Sequence, residues 1–249
     1  MNSLDEIKKH RLVFLDTETT GREAHDRIFQ VAYEHEGKEV CEMFKPPVPL
    51  CVEAMEATGY TNKDVADKKP FPGSMTHTNL AVLLPQVDVV MVAHNAPFDV
   101  DMLKRDGVEA HVVIDTLKIA RHLDPEGKLG AYRLQYLRYA LDLEVLDAAA
   151  HDALGDVRVL KALFTRLYDK LRKEHADAAA TISAMVAISQ APSFITRITF
   201  GKHAGKLLVD LAKEDRSYLQ WLLKQKEADT EDSHDQNADW IYTLKKVLG

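Results

Sequence analysis

Two carboxylates stand two residues apart at the end of an apolar run. Residues 12–15 are apolar and favour a β-strand, and Asp16 and Glu18 follow them directly. Because successive side chains of a strand point to opposite faces, both carboxylates face the same side of the sheet. This arrangement suits a metal ion, although acidic residues at strand ends are also ordinary solvated turn formers.

Further acidic positions lie at the edges of other predicted elements. Asp99 comes shortly after an apolar strand, where the cap of the next helix explains it equally well. His151 precedes a predicted helix, and Asp156 falls in that helix's first turn. A capped helix start with an exposed histidine would show the same pattern. The joint order D-x-E, D and H-x-x-x-x-D is hard to explain as coincidence, and it indicates one shared site.

These three segments resemble the motifs of the DEDDh exonuclease family. They are residues 16–21 (DTETTG), 94–99 (HNAPFD) and 151–156 (HDALGD), and the resemblance covers roughly residues 11–173. The family divides by a histidine five residues before the last aspartate or a tyrosine four before it, and His151 fits the histidine branch. The resemblance implies a ribonuclease H-like fold and 3′-to-5′ hydrolysis of phosphodiester bonds that releases nucleoside 5′-monophosphates.

Phosphodiester hydrolysis defines the chemistry expected of these residues. It requires charge neutralisation on the phosphate, an activated water and a stabilised leaving oxygen, which two Mg²⁺ ions about 4 Å apart provide together. Carboxylates without cysteine are the ligands that Mg²⁺ prefers. The resemblance implies that Asp16, Glu18 and Asp156 hold one Mg²⁺ ion, with Asp16 bridging and Asp99 orienting the second; Mn²⁺ is an acceptable substitute. His151 is the expected general base, since imidazole titrates near neutral pH.

The same motifs contain residues expected to contact the substrate. Thr17 and Thr20 are expected to offer backbone or hydroxyl groups to the terminal nucleotide. Asn95 and Phe98 resemble family residues that contact the scissile end. Phe98 would serve equally well in core packing.

A glycine-flanked basic turn follows in the C-terminal part of the chain. Lys202, His203 and Lys206 would offer positive charge to the phosphates of a nucleic acid, or they are simply solvated on a tight turn. Tyr218 and Trp221 share a helical face with apolar neighbours, which predicts that both belong to a small core.

Several stretches outside the motifs resemble a DNA-degrading branch of the family: residues 132–137, 200–206, 215, 218–219, 221–223 and 242–244. They extend the match over nearly the whole chain. The expected partner is therefore a nucleic acid with a free 3′ end, with DNA favoured over RNA.

Alternating strand-like and helix-like segments surround these motifs. Five apolar runs predict strands, over residues 12–15, 28–33, 39–44, 87–93 and 112–114. Helical periodicity dominates from Tyr132 onward. With the resemblance, this pattern predicts an α/β fold: a ribonuclease H-like mixed five-stranded sheet flanked by helices, with a small C-terminal α+β unit.

Three parts of the chain are expected. Residues 1–173 would form the exonuclease domain, and residues 174–192 would be a helical connector that Pro192 ends. Residues 193–249 would form the small C-terminal unit, with a strand at residues 195–200 and a candidate nucleic-acid contact.

Composition limits the class of protein. With 249 residues and 46% hydrophobic content, the chain is long enough for one medium domain and a small appendage. A net charge of -7 argues against a protein that coats nucleic acid through overall positive charge, so any such contact must be local. Cys41 and Cys51 lack the spacing of a zinc site or a disulfide framework. No signal peptide or membrane span is predicted, so we expect a cytoplasmic protein without a membrane partner.

Two other functions are compatible with the fold. An RNA-trimming exoribonuclease would use the same site, because recognition of the 2′-hydroxyl depends on pocket shape rather than on a sequence motif. A catalytically silent nucleic-acid-binding adaptor would keep the fold without the chemistry. The presence of all five catalytic side chains argues against the adaptor.

Overall fold

The computed structural model of the chain describes residues 11–145, 153–229 and 234–249. Five strands form a single sheet: β1 (Arg11–Thr19), β2 (Ile28–His35), β3 (Lys38–Met43), β4 (Val89–Ala93) and β5 (Val113–Asp115). Their order across the sheet is β3, β2, β1, β4, β5. The pairs β1–β2 and β2–β3 are antiparallel, whereas β1–β4 and β4–β5 are parallel. The predicted mixed five-stranded sheet is confirmed.

Helices connect the strands and predominate in the described residues after β5. In chain order they are α1 (Val52–Thr58), α2 (Asn62–Val65), α3 (Met75–Leu83), α4 (Ala96–Arg105), α5 (Thr116–His122), α6 (Leu134–Ala140), α7 (Ala153–Arg172), α8 (Ala178–Gln190), α9 (Leu208–Glu214), α10 (Arg216–Ala228) and α11 (His234–Leu248). None of these described helices combines the length and the apolar character needed to cross a lipid bilayer.

Strand β1 is buried on both faces of the sheet. Val13 and Leu15 point to one face and pack in a cluster with Leu103 of α4, while Phe14 points to the other. The Phe14 ring meets the edge of Phe164 of α7, with ring centroids 5.4 Å apart. The alternation of side chains along a strand produces this division, so the apolar run fixes β1 between two layers of helices.

The long helix α7 positions the third acidic segment. Its buried apolar side chains recur at intervals of three and four residues, at Val157, Leu160, Phe164, Leu167 and Leu171. This stripe packs against the sheet, as expected of an amphipathic helix. Because α7 begins at Ala153, Asp156 lies in its first turn.

Helix α4 begins earlier than the sequence predicted. Asn95 adopts a left-handed conformation (φ 66°, ψ 47°), and the helix starts at Ala96, with Pro97 in its first turn. Asparagine tolerates the left-handed region, and proline already has a helical φ angle. Asp99 therefore lies within the first turn of the helix, so the interpretation of Asp99 as its cap was wrong.

Within the described residues 193–229 and 234–249, the long regular elements of the C-terminal unit are the helices α9, α10 and α11. The strand expected at residues 195–200 is reduced to one bridge between Arg197 and Leu207, because the chain turns through the positive-φ residues Gly201 and Gly205. A separate hydrophobic cluster fills the unit and includes Leu219, Leu222 and Leu244.

The two aromatic residues expected in this core behave differently. Tyr218 packs against the cluster, but the prediction for Trp221 was wrong, since 53% of its surface is exposed. On α10 the buried positions are Leu219 and Leu222, and Trp221 projects away from them. Helical spacing alone did not identify which aromatic side chain faced inward.

A buried polar network ties the C-terminal unit to the sheet domain. Asp239 of α11 accepts a 2.9 Å bond from the guanidinium of Arg121 on α5. The same carboxylate accepts bonds of 2.7 Å and 2.6 Å from the backbone N–H and the hydroxyl of Ser193. Charge-assisted bonds of this kind are stronger than neutral ones, so this network is a main polar link between the two parts.

Replacing Asp239 with alanine tests this link. We expect Asp239→Ala to lower the free energy of unfolding by about 3 kcal/mol, because removing one partner leaves a buried cation uncompensated. The measurement is a urea titration followed by circular dichroism. Asp67→Ala is the matched control: its side chain is 82% exposed, so it should cost under about 0.5 kcal/mol. Equal midpoints for the two variants would show that the network contributes nothing.

Candidate active site

Three carboxylates converge at the edge of the sheet. Asp16 and Glu18 project from β1, and Asp156 projects from the first turn of α7. Each offers an oxygen, and these oxygens lie within 4.8 Å of one another. The alternation of β1 brings the first two together, and the packing of α7 on the sheet adds the third.

Asp99 joins this group from α4 and is held by a residue of the first motif. It is 4% exposed, and its Oδ1 accepts a 3.1 Å bond from the Thr17 backbone N–H and a 2.7 Å bond from the Thr17 hydroxyl. These bonds fix the carboxylate of α4 against β1. They also occupy the Thr17 hydroxyl, which the sequence had assigned to the substrate.

The carboxylates raise one another's proton affinity. Burial, together with the charges of Asp99, Glu18 and Asp156, raises the pKa of Asp16 well above its usual value. Burial raises the pKa of Asp99 to about 7, although the hydrogen bonds from Thr17 oppose the shift. Like charges in a desolvated site destabilise their ionised forms, and a bound cation would relieve that cost.

This donor set fits a divalent cation. All of the converging atoms are carboxylate oxygens, which are the hard ligands that Mg²⁺ and Mn²⁺ take, and the raised pKa of Asp16 marks uncompensated negative charge. Asp16, Glu18 and Asp156 are the residues able to hold such an ion. Asp99 lies beside them through its contact with Thr17.

Gln135 is a site residue that sequence reasoning did not identify. Its side-chain N–H donates to Oδ1 of Asp156, while its Oε1 is buried with no partner in the part of the chain that the structure describes. Gln135 lies on α6, which packs against α7. The contact depends on how two helices meet, so the sequence could indicate it only through the resemblance of residues 132–137.

Asp115 is a further residue beside the site that the sequence did not indicate, and its carboxylate holds the loop before α4. Its Oδ1 accepts 2.9 Å bonds from the backbone N–H groups of Asn95 and Leu117. Burial raises the pKa of Asp115 to about 6, against the effect of these bonds. The bond to Asn95 anchors the loop whose turn starts α4, so Asp115 helps to set the position of Asp99.

His94 fixes the other side of the same loop. Its Nε2 lies 2.6 Å from the Tyr132 carbonyl oxygen, and its Nδ1 lies 2.9 Å from the Thr116 hydroxyl. Burial lowers the pKa of His94 to about 4, so the ring is neutral at physiological pH. A neutral ring donates to a carbonyl through one nitrogen and accepts through the other, which makes His94 a structural link.

Two predicted substrate contacts have partners within the protein. Thr20 is fully buried, and its hydroxyl donates a 2.6 Å bond to Asp26. Phe98 packs against the hydrophobic cluster on the α4 side of the sheet. The proposed base, His151, lies outside the described residues.

The cationic side chains of the basic turn in the C-terminal unit are paired with carboxylates. Lys202 and His203 bond to Asp215 at 3.2 Å and 3.0 Å, and Lys206 pairs with Glu214. A hydrogen bond from Ser217, together with those from Lys202, His203 and the Tyr218 N–H, holds the pKa of Asp215 well below its usual value. Among described contacts, none joins this turn to the carboxylates of the sheet.

Comparison with known proteins gives consistent results. The RNase_T family model, described as an exonuclease, matches residues 13–164. Exodeoxyribonuclease 10 of Escherichia coli K12 is 31% identical over 217 residues, which cover 85% of this chain and 90% of that protein. The PolC-type DNA polymerase III of Streptococcus thermophilus is 31% identical over 183 residues, but the chain spans only 12% of that protein's length.

Solved structures share the fold. Exonuclease X in complex with 5′ overhanging duplex DNA matches with a TM-score of 0.55 and 27% identity, over 72% of this chain and 99% of that one. Exonuclease I of Escherichia coli with a dA16 oligonucleotide matches with a TM-score of 0.54 over 66% of this chain and 43% of that one; its 21% identity shows the fold alone. With a family model that covers more than half of its length, the chain belongs to the exonuclease family.

Proposed function

We propose that this protein is a metal-dependent 3′-to-5′ exonuclease that removes nucleoside 5′-monophosphates from DNA. The observation that carries the proposal is the convergence of Asp16, Glu18 and Asp156 within 4.8 Å, with Asp99 bonded beside them. Burial and the neighbouring carboxylates raise the pKa of Asp16, so its ionised form costs stability unless a cation is bound. A silent adaptor would have no use for this cluster.

Each acidic residue has a separate role in the proposed reaction. Asp16, Glu18 and Asp156 would hold one Mg²⁺ ion, and Asp16 and Asp99 would serve the second. When bound, the two ions supply charge neutralisation on the phosphate and a lowered pKa for the attacking water. Thr17 keeps Asp99 in place, and Gln135 keeps Asp156 in place.

His151 accepts the proton of the attacking water in this proposal. It stands five residues before Asp156 in the sequence, and an imidazole ordinarily titrates close enough to neutral pH to serve as a base. His94 is unsuited to the task, because both of its ring nitrogens have partners in the protein.

The preference for DNA is supported by relatives. The name of Exodeoxyribonuclease 10 gives its substrate as DNA, and that protein aligns with 85% of this chain. The solved structure of Exonuclease X contains DNA. Both resemblances extend beyond the shared fold, since their identities are 31% and 27%.

The first test is degradation of 5′-labelled single-stranded DNA and of matched RNA with Mg²⁺. We expect stepwise shortening of the DNA from its 3′ end, reduced about 100-fold or more in His151→Ala, because a general base contributes at least that factor. His111→Ala, whose ring is 51% exposed, is the control and should retain full activity. Shortening of RNA alone would move the substrate to RNA, and shortening of neither would refute the proposal.

Melting temperatures test the metal site independently of activity. Millimolar Mg²⁺ or Mn²⁺ should raise the melting temperature of the native chain by about 5 °C, with a larger rise at pH 8 than at pH 6. The sign follows from the raised pKa values: without metal, the stability contributed by protonated Asp99 is lost as the pH rises through about 7. The metal ions bind carboxylates in their ionised form, which Asp99 adopts above that pH.

A charge-neutral variant sharpens this measurement. Asp156→Asn should melt higher than the native chain in EDTA, because one of the repelling charges beside Asp16 is gone. It should nevertheless gain little from metal, whereas Asp67→Asn should behave like the native chain. If neither metal changes the melting temperature of the native chain, the result would contradict the clustered site.

Gln135→Ala tests the positioning of Asp156. We expect about a tenfold loss of activity at low Mn²⁺, because groups that orient metal ligands affect metal affinity to that extent. Saturating Mn²⁺ should restore most of the activity, which a merely unstable variant would not show. Gln225→Ala, an exposed change on α10, is the control. Identical metal dependence in both variants would remove Gln135 from the site.

A further inference from the structure

A cleft lies between the sheet domain and the C-terminal unit. Its volume is about 620 Å³, within the range of ligand-binding cavities. One wall is formed by α5 and residues 130–133, and the other by residues 195–199 together with Trp240 of α11. Both parts of the chain are therefore required to form it.

The cleft concentrates positive charge in an acidic protein. Its lining contains four cationic and two acidic side chains, which are Lys118, Arg121, Arg133, Arg197, Asp115 and Asp239. Asp239 is paired with Arg121. Arg133 and Arg197, by contrast, have no carboxylate partner among the residues described, and the only polar bond of the Arg197 guanidinium there is to the Gly205 carbonyl oxygen. Two cations without carboxylate partners, in a chain of net charge -7, indicate an anionic ligand.

Two of the segments that line the cleft continue along the chain into helices that carry site residues. Asn95 and Pro97 line it and lie four and two residues before Asp99, at the start of α4. Arg133 precedes α6, where Gln135 contacts Asp156. A ligand in the cleft would therefore sit beside the proposed site of phosphodiester cleavage.

An aromatic pair borders the cleft on the C-terminal unit. Phe200 lies edge-on to Trp240, with ring centroids 5.5 Å apart, and Trp240 lines the cleft. Phe200 is 40% exposed, which is unusual for a phenylalanine. Exposed aromatic rings beside cations are the combination that binds single-stranded nucleic acid, because bases stack on rings while phosphates meet the positive charge.

We propose that this cleft binds the single-stranded segment 5′ to the nucleotide being removed, with phosphates at Arg133 and Arg197 and a base on Phe200. The assignment rests on the proposed exonuclease function for the direction of the strand. In this proposal the cleft, rather than the basic turn at Lys202, is the nucleic-acid contact of the C-terminal unit, because Asp215 already neutralises the charge of Lys202. Unpaired bases are required for stacking, so a single strand is the ligand.

Binding is measured first, without catalysis. Fluorescence anisotropy of a 5′-labelled thymidine 20-mer is recorded in EDTA over a range of salt concentrations. The Arg133→Ala/Arg197→Ala variant should bind about tenfold more weakly. The negative slope of log K against log salt should become shallower by about 1.4, the amount for two lost phosphate contacts. Phe200→Ala should weaken binding about fivefold with an unchanged slope, because stacking releases no counterions.

Matched controls separate the cleft from general surface effects. Arg166→Ala/Lys170→Ala removes two exposed charges from α7, and Trp221→Ala removes an exposed ring of α10; none of these three residues lines the cleft. Melting temperatures of all variants should agree within about 2 °C. Equal losses in controls and cleft variants, or no loss in the cleft variants, would overturn the proposal.

A small substrate distinguishes this inference from the proposed function. The p-nitrophenyl ester of thymidine 5′-monophosphate has no upstream strand, so its hydrolysis with Mn²⁺ should be unchanged in the cleft variants while hydrolysis of the 20-mer falls. Equal losses on both substrates would assign the arginines to catalysis and refute strand binding. If the native chain hydrolyses neither substrate but the anisotropy results hold, the exonuclease function fails and the cleft stands.

Discussion

Repulsion among four carboxylates is the constraint that the rest of this structure must satisfy. Asp16, Glu18, Asp99 and Asp156 come from three elements, and their charges oppose one another in a partly desolvated site. The apolar faces of β1, α4 and α7 hold them together, since each buried aliphatic or aromatic side chain contributes about 1.5–3 kcal/mol. The packing of Phe14 on Phe164 is one such contact. The hydrophobic layers are thus what keeps the acidic cluster assembled.

A set of polar contacts then determines orientation within the cluster. Thr17 bonds Asp99, Gln135 bonds Asp156, and Asp115 bonds the backbone of the loop that starts α4. Each contact joins two different elements of the fold. A displacement of any one element would change the separation of the carboxylates, so the geometry of the site depends on the docking of helices as much as on the sheet.

The sequence revealed those features that depend on neighbours along the chain. The spacing of Asp16 and Glu18 and the apolar stripe of α7 follow from strand and helix periodicity, and the five strands were predicted near their observed positions. Gln135, Asp115 and the cleft were not predicted, because each depends on segments brought together by tertiary packing. The same limit explains the wrong prediction for Trp221, which shares a helix with core residues yet projects outward. It also explains the strand predicted at residues 195–200, where a single bridge between Arg197 and Leu207 forms.

The bond between Arg121 and Asp239 has a consequence for how the two parts of the chain are able to evolve. Arg121 both anchors the C-terminal unit and lines the cleft, so the attachment and the cleft share one side chain. A C-terminal unit transferred to another exonuclease domain would leave Asp239 without its cation unless that domain carried an arginine at the equivalent place. The two parts are therefore poor candidates for independent exchange, and they are expected to be inherited together.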